Sequence, residues 1–166
     1  KLLFIPSLAG GTSQDPSVNI RGAYMGLDLK HDRGDLIRAC MEGIAMNLRL
    51  RLDILKRYLK LQNEMLLVGG GSKSALYRRI FADVYNMKII KTNIDQDAAA
   101  LGAAAIAAVG CGIWKDFKKI DHIHKIQEEI YPDYENNQKY EKLLEIFERS
   151  VEYQAKISDM LHDVQL

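Results

Sequence analysis

The feature that most constrains the fold is a short apolar segment that runs directly into three consecutive glycines. Residues 66–74 read LLVGGGSKS, and Met65 extends the apolar run by one residue. A continuous apolar run of this length that stops at glycines is typical of a strand buried on both faces, as in a parallel sheet. Ser72 is a suitable N-cap for a following helix. The apolar face predicted for that helix consists of Leu76, Ile80, Phe81 and Val84.

Further strands and helices are predicted on both sides of this unit. Strands are expected at residues 2–5, 22–29 and 88–92, and helices at residues 35–59, from Asp95 or Asp97 to Gly110, and from Pro132 onward. Asp32 or Asp35 can cap the first of these helices. Residues 7–21 are rich in Gly, Ser, Asp, Asn and Pro and predict a long loop. The alternating order predicts an α/β fold, with a mixed or largely parallel sheet and helices on both faces.

The alanine-rich stretch at residues 98–109 is expected to pack directly on the strand at residues 65–68, which is then an interior strand. Small side chains let a helix lie close to a sheet, so leucine at Gly102 or Ala103 would overpack the contact, at a cost of about 1–3 kcal/mol. The last helix is predicted to be long and to act as a structural brace. Its apolar face consists of Tyr140, Leu144, Phe147, Val151 and Leu161.

The size of the chain limits the number of domains. With 166 residues and 48% hydrophobic content, the chain can bury one sizeable core, so we expect one compact domain. The sequence starts at Lys1 and enters strand-like sequence at once. We interpret the chain as a fragment of a longer polypeptide.

The charge and the cysteines limit the classes of partner and compartment. A net charge of +1 with 27% charged residues favours neither nucleic acid nor an anionic membrane as a partner. No apolar run reaches the length of a bilayer, and residues 1–8 lack the regions of a signal peptide. Cys40 and Cys111 lie far apart, outside any CxxC pattern. We therefore expect a cytoplasmic protein with reduced thiols.

The glycine turn is the candidate ligand site. Glycine has no Cβ, so its backbone can take a positive φ and let a flat ring or a phosphate approach closely. Free N–H groups at the start of the next helix attract negative charge. The candidate residues are Gly69, Gly70, Gly71, Ser72 and Lys73. The alternative interpretation is a tight strand-to-helix connection without a ligand.

Two known phosphate loops fit this turn poorly. The dinucleotide pattern GxGxxG is met by Gly69 and Gly71, but Ser74 occupies its third glycine, although Asp95 lies roughly where a ribose-binding acid is sought. A Walker A loop needs Ser or Thr after its lysine, whereas Ser72 precedes Lys73. The first match is partial and the second pattern is absent from the sequence.

Four polar residues are further candidates for a site. His122 and His124 have no third or fourth ligand at a suitable spacing, so we interpret them as part of a solvated surface and predict no metal site. Glu42 could orient a group in a cleft, but a glutamate hydrogen-bonded within the fold is favoured. Arg21 could contact a phosphate or anchor its own loop, and its fork of donors suits either task.

Three ordered stretches resemble the C-terminal domain of the FGGY carbohydrate kinases. The first combines FIPSLAG at residues 4–10 with NIRGAYMGL at residues 19–27, which resembles the family's "RGxxxGL" segment. The second is DLIRACMEGIA at residues 35–45, similar to the family's "LxRAxxEGxA" helix. The third is the glycine turn followed by ADV at residues 82–84 and DAAALGAA at residues 97–104. Together they cover residues 4 to about 114.

The resemblance implies an actin-like, ribonuclease-H-like ATPase fold in which two domains close on a cleft. It places the glycine turn against the adenosine of ATP, with Gly70 and Gly71 packed on the base or ribose, and Mg²⁺ bridging the phosphates. Two residues depart from the family pattern. Asp97 stands where many members have Glu, and Ala75 stands where glycerol-kinase-like members have an Asn that reaches the adenine, so that contact is not expected here.

In this family the catalytic base and most sugar contacts belong to the N-terminal half. The resemblance therefore implies the ATP-binding half of a kinase that phosphorylates a ketose or polyol, with xylulose as the best single candidate. It also implies that the isolated chain is inactive. It leaves open whether the protein forms a homodimer. The alternatives are a non-enzymatic actin-like nucleotide-binding module and an NAD-binding fragment, the latter disfavoured by Ser74.

Overall fold

The structure is a computed structural model that describes residues 1–164. Its elements in chain order are β1 (Leu3–Ile5), β2 (Ala23–Met25), α1 (Arg33–Lys56), β3 (Glu64–Leu66), a 3₁₀ turn (Gly70–Lys73), α2 (Ala75–Tyr85), β4 (Lys88–Thr92), α3 (Ala98–Gly110), α4 (Lys119–Ile123), β5 (Ile126–Ile130) and α5 (Tyr134–Asp163). Where the length led us to expect one compact domain, the chain divides into two compact units. Unit 1 contains Lys1–Leu61 and the segment from Tyr134 onward, and unit 2 contains Gln62–Asp133.

In unit 1 a pair of antiparallel strands packs on the first long helix. β1 and β2 pair with Phe4 opposite Tyr24, whose rings lie 4.7 Å apart. Leu2, Phe4 and Ala39 form the buried cluster between β1 and α1. α1 starts with a reciprocal capping box, because each of Asp32 and Asp35 accepts a hydrogen bond from the backbone N–H of the other. Both residues predicted as alternative caps therefore take part.

The long loop predicted at residues 7–21 is held against α5. The Ser17 hydroxyl donates to Asp159 at 2.5 Å, and the Asn19 amide donates to the same oxygen at 2.9 Å. The backbone N–H of Arg21 donates to the Ser158 hydroxyl at 3.1 Å. α5 also buries Tyr140, Phe147 and Val151, as its periodicity predicts. It is thus the long brace expected at this end of the chain.

Acid is expected to weaken unit 1 through Asp159. Hydrogen bonds from Ser17 and Asn19, with a smaller contribution from nearby His162, lower the pKa of Asp159 below its usual 3.8. Because the folded-state pKa is the lower one, this stabilisation is fully present above about pH 5 and is lost as the pH falls through the folded pKa.

The isosteric variant Asp159→Asn isolates this effect, because all other carboxylates titrate equally in both proteins. Urea unfolding should give the native protein a higher midpoint at neutral pH, since bonds to an ionised acceptor are stronger. The difference should vanish in strong acid. A midpoint difference that stays constant across the pH range would contradict this assignment.

Unit 2 contains a mixed three-stranded sheet of order β3-β4-β5. β4 is the central strand: it pairs in parallel with β3 and antiparallel with β5. The prediction that residues 65–68 form an interior strand is wrong, because β3 lies at the edge of this sheet and Leu66 and Val68 are 45% and 40% exposed. A continuous apolar run indicates that both faces of a strand are apolar. The run does not indicate which strands lie beside it in the sheet.

The alanine-rich helix α3 also departs from its prediction. More than half of its residues are exposed, and Ala105 is its buried residue. A Cβ added at Gly102 meets nothing within 4 Å, and Ala103 is exposed. Leucine at either position therefore overpacks nothing here. The error arises because a helix that is apolar all round has no amphipathic stripe to show which face packs.

The segment between α3 and α5 contains two elements that the sequence did not predict. α4 is a short helix, and β5 pairs with β4. Ile126 is 62% exposed while Ile130 is buried, and the three residues between them are polar or charged and exposed. A strand with so few apolar positions lacks the alternation by which strands are recognised. The sheet is therefore mixed, as the fold prediction stated.

Candidate functional site

The glycine turn joins the end of β3 to α2 through one turn of 3₁₀ helix, Gly70–Lys73. Gly69 enters this turn with φ of 89°, a conformation that residues with a side chain rarely adopt. Its carbonyl accepts the backbone N–H of Ser72 at 3.1 Å, and its own N–H donates to the carbonyl of Asp95 at 3.0 Å. The first glycine is thus required by the backbone path.

The next two glycines differ in what surrounds them. A Cβ on Gly71 would lie 2.8 Å from the Tyr77 ring, so a side chain at this position would force the ring to move. A Cβ on Gly70 would meet only the Gln96 amide, at 3.8 Å, and Gly70 does not have a positive φ. Gly70 is exposed. Neither the backbone nor the packing of this chain therefore demands a glycine at position 70.

Ser72 does not cap α2, contrary to the prediction. It lies inside the 3₁₀ turn, and Ser74 is the N-cap, whose hydroxyl accepts the backbone N–H of Tyr77 at 3.3 Å. The Ser72 side chain is instead fully buried beneath the turn, with its hydroxyl 2.7 Å from the carbonyl of Gly69 and 2.8 Å from Asp95. The extra 3₁₀ turn shifts the helix start by two residues, and no sequence pattern marked it.

The charged side chains of Asp95, Lys91 and Lys73 lie near the turn. The hydrogen bond from Ser72, together with the nearby Lys91 and Lys73 ammonium groups, lowers the pKa of Asp95, which keeps its carboxylate ionised. Lys91 lies 3.4 Å from Asp95. Lys73 is exposed and donates to the Gln96 side chain at 3.1 Å. The turn therefore presents an open glycine next to an accessible cation.

Glu42 and Arg21 both form hydrogen bonds within the fold. Glu42 accepts hydrogen bonds from the Arg38 guanidinium and the Tyr140 hydroxyl, both at 2.8 Å, so it links α1 to α5 within unit 1. The pKa of Tyr140 is raised, first by burial and then by this carboxylate. Arg21 donates to the carbonyls of Val18, Asn19 and Ile20, and so anchors its own loop.

The described residues offer limited alternatives to the glycine turn. Within residues 1–164, no group of three or more His, Cys, Asp or Glu side chains is placed to hold a metal ion. No helix in that range is long and apolar enough to cross a membrane. A cavity of about 390 Å³ lies between α1 and α5 in unit 1. Several acidic residues line it, which makes it a poor match for a phosphate ligand.

Comparison with known families identifies the chain. A family model for the C-terminal domain of the FGGY family of carbohydrate kinases matches residues 1–111. The chain belongs to the FGGY family. The match includes the glycine turn and α3, and it confirms the resemblance carried by the three sequence stretches. α4, β5 and α5 lie beyond it.

Curated FGGY relatives match most of this chain with about a third of their own length. The chain is 32% identical over 148 residues to a xylulose kinase of Staphylococcus epidermidis, covering 89% of this chain and 30% of the relative. It is 31% identical over 147 residues to a xylulose kinase of Bacillus subtilis, covering 88% and 29%. The chain therefore spans about 30% of the length of these relatives.

Solved structures of FGGY kinases share the fold. A xylulose kinase from Rhodospirillum rubrum superposes with a TM-score of 0.78 at 25% identity, covering 95% of this chain and 31% of that one. A gluconate kinase from Lactobacillus acidophilus gives 0.77 at 26% identity, covering 93% and 31%. A Plasmodium falciparum glycerol kinase with ADP gives 0.73 at 21% identity, covering 99% and 31%, which concerns the fold alone.

Proposed function

We propose that this chain is the adenosine-binding part of an ATP-dependent carbohydrate kinase, and that it works within a longer polypeptide. Family membership and the 30% share of the xylulose kinases support this proposal. Xylulose is the proposed sugar, because curated xylulose kinases match at 29–32% identity over most of the chain. In such an enzyme the γ-phosphoryl group of ATP is transferred to a sugar hydroxyl.

The observation that carries the proposal is the contrast between Gly70 and the glycines beside it. Gly69 is explained by its positive φ and Gly71 by the Tyr77 ring. Gly70 is exposed and has room for a side chain, and the Gln96 amide that approaches it also accepts a hydrogen bond from the Lys73 ammonium. A flat ring or a ribose can approach bare backbone here, as the nucleotide-site interpretation requires. A ligand supplies the reason for glycine that the free chain lacks.

The chemistry fits the residues that are present. Phosphoryl transfer needs positioning and charge stabilisation more than covalent help from the protein. Mg²⁺ needs oxygen ligands such as carboxylates, and the Asp95 carboxylate, which contacts the turn, is engaged with Ser72 and Lys91. We therefore assign no metal ligand to the turn, and treat Mg²⁺ as part of the MgATP substrate.

Replacing Gly70 with valine in the complete polypeptide tests the proposal. Valine fits the free protein but occupies the space given to the nucleotide, so the KM for ATP should rise at least about tenfold. The KM for xylulose should stay within about twofold, because the sugar is held elsewhere. Steady-state kinetics with each substrate varied in turn measures both constants.

Gly110→Val is the matched control. Gly110 also belongs to unit 2 and also has nothing within 4 Å of an added Cβ, so its KM for ATP should match that of the native protein. If Gly70→Val changes only the KM for xylulose, the assignment of ATP to this turn is wrong. ATP binding without any sugar-dependent phosphoryl transfer in the native protein would instead favour the non-enzymatic module, and binding of NAD in preference to ATP would favour the dinucleotide fragment.

A further inference from the structure

The segment that follows β4 lies directly against the glycine turn. β3 and β4 are parallel neighbours, so their carboxyl ends meet at the same edge of the sheet. The turn leaves β3 at this edge, and residues 93–97 leave β4 at the same edge. Asp95 and Gln96 are thereby brought next to residues 69–73, more than twenty positions earlier in the chain.

Asp95 contacts the turn through both its backbone and its side chain. Its carbonyl accepts the N–H of Gly69 at 3.0 Å, at the point where the backbone takes its positive φ. Its carboxylate accepts the hydroxyl of the fully buried Ser72 at 2.8 Å. One residue thus fixes the entry and the floor of the turn, which leaves Gly70 between two anchored points.

Three consecutive glycines cannot hold a single shape by themselves. Glycine has the largest conformational freedom of any residue, so an untethered turn of this composition samples many conformations. If a ligand needs one of these conformations, its apparent affinity is the intrinsic affinity multiplied by the fraction of molecules in that conformation. External tethers therefore raise the affinity for a ligand without touching it.

We propose that Asp95 is a positioning residue that holds residues 69–72 in the conformation that accepts adenosine. This inference rests on the proposed function, since it concerns how that same site is kept ready. Lys91 pairs with the Asp95 carboxylate at 3.4 Å, so the negative charge beneath the turn is balanced within the protein. Asp95 acts through Ser72 and Gly69.

Kinetics of Asp95 variants in the complete polypeptide test this role. Asp95→Ala should raise the KM for ATP about tenfold, with kcat and the KM for the sugar within about twofold of native values. Asp95→Asn should recover most of the loss, because its amide oxygen can still accept the Ser72 hydroxyl. Ser72→Ala should reproduce the defect, and the double variant Ser72→Ala with Asp95→Ala should be no worse than either single one.

Glu129→Ala is the matched control. Glu129 is a carboxylate of the same sheet that pairs with Lys88 at 3.0 Å, away from the turn, so its loss should leave the KM for ATP at the native value. An equal rise in Glu129→Ala and Asp95→Ala would show a general loss of unit 2 stability and overturn the proposal.

Three further outcomes are decisive. If Gly70→Val raises the KM for ATP while Asp95→Ala leaves it unchanged, the turn binds ATP and the positioning role of Asp95 is wrong. If neither variant changes it, the proposed function itself fails. Should Asp95→Ala not fold, Ser72→Ala decides, because it removes the other partner of the same hydrogen bond: a KM for ATP raised about tenfold supports the proposal, and a native KM for ATP overturns it.

Discussion

Replacing Gly43 with alanine is expected to lower the free energy of unfolding by about 3 kcal/mol or more. Gly43 is buried in α1, and a Cβ added there would lie 2.0 Å from the carbonyl oxygen of Phe4 and 3.3 Å from the Phe4 Cβ. The obstructing atom belongs to the backbone of β1, so it cannot rotate away. Relief requires α1 and β1 to separate, which breaks the cluster of Leu2, Phe4 and Ala39.

Gly102→Ala provides the control for helix propensity. Both glycines lie within helices, so alanine gains the same intrinsic preference at each, about 0.5–1 kcal/mol. An added Cβ at Gly102 meets nothing within 4 Å, so this variant should be slightly more stable than the native chain. Urea unfolding followed by circular dichroism measures both. A Gly43→Ala protein as stable as the native one would mean that α1 does not approach β1 this closely.

The chain of 166 residues by itself is expected to phosphorylate no sugar. A kinase needs a carboxylate positioned to accept the proton of the sugar hydroxyl, together with a sugar pocket. Asp83 is buried and accepts the backbone N–H of Asp133 at 2.8 Å, while Asp15 pairs with Arg51 and accepts two bonds from Thr12. Asp28 caps a local turn by accepting the N–H of Lys30. Each of these aspartates is engaged in the fold rather than free to serve as a base.

A coupled assay for ADP release, with xylulose, glycerol or ribulose as acceptor, measures this directly. The complete polypeptide should release ADP in response to its sugar, whereas the isolated chain should show only the background rate. The same assay without sugar gives the background rate. Sugar-dependent ADP release by the isolated chain would refute the division of labour between two halves.

The glycine turn shows how far local sequence can predict a site. The apolar run, the glycines and the following helix were visible in LLVGGGSKS, and the turn lies where they predict. The partners of the turn were not visible. The sequence marks Asp95 as a possible start of the alanine-rich helix and as a partial match to a dinucleotide pattern, whereas its contacts with Ser72 and Gly69 depend on β3 and β4 being parallel neighbours.

The two long helices could be predicted from the sequence, but the extent of their contacts could not. Periodicity identified α1 and α5 as helices, because the spacing of apolar residues depends on the helix sequence alone. It predicts the burial of Tyr140, Phe147 and Val151 in α5, but the buried residues of α1 are mostly small side chains, such as Ala39, Gly43 and Ala45, that the apolar spacing does not mark. Leu161 was placed on the buried face of α5 but is 68% exposed, since the stripe extends beyond the elements that cover it. The length of the apolar face of a helix does not show how much of that face other segments cover.

The sequence by itself determined the order of most elements, the glycine turn, the capping of α1 and membership of the FGGY family, because these depend on residues close together in the chain or on ordered stretches of it. Tertiary structure alone decided that β3 is an edge strand, that α3 is largely exposed, that Ser74 rather than Ser72 caps α2, and that Asp95 lies under the turn. These features depend on which distant segments become neighbours. Strand order and pairing direction decide that, and neither is encoded in any single stretch of sequence.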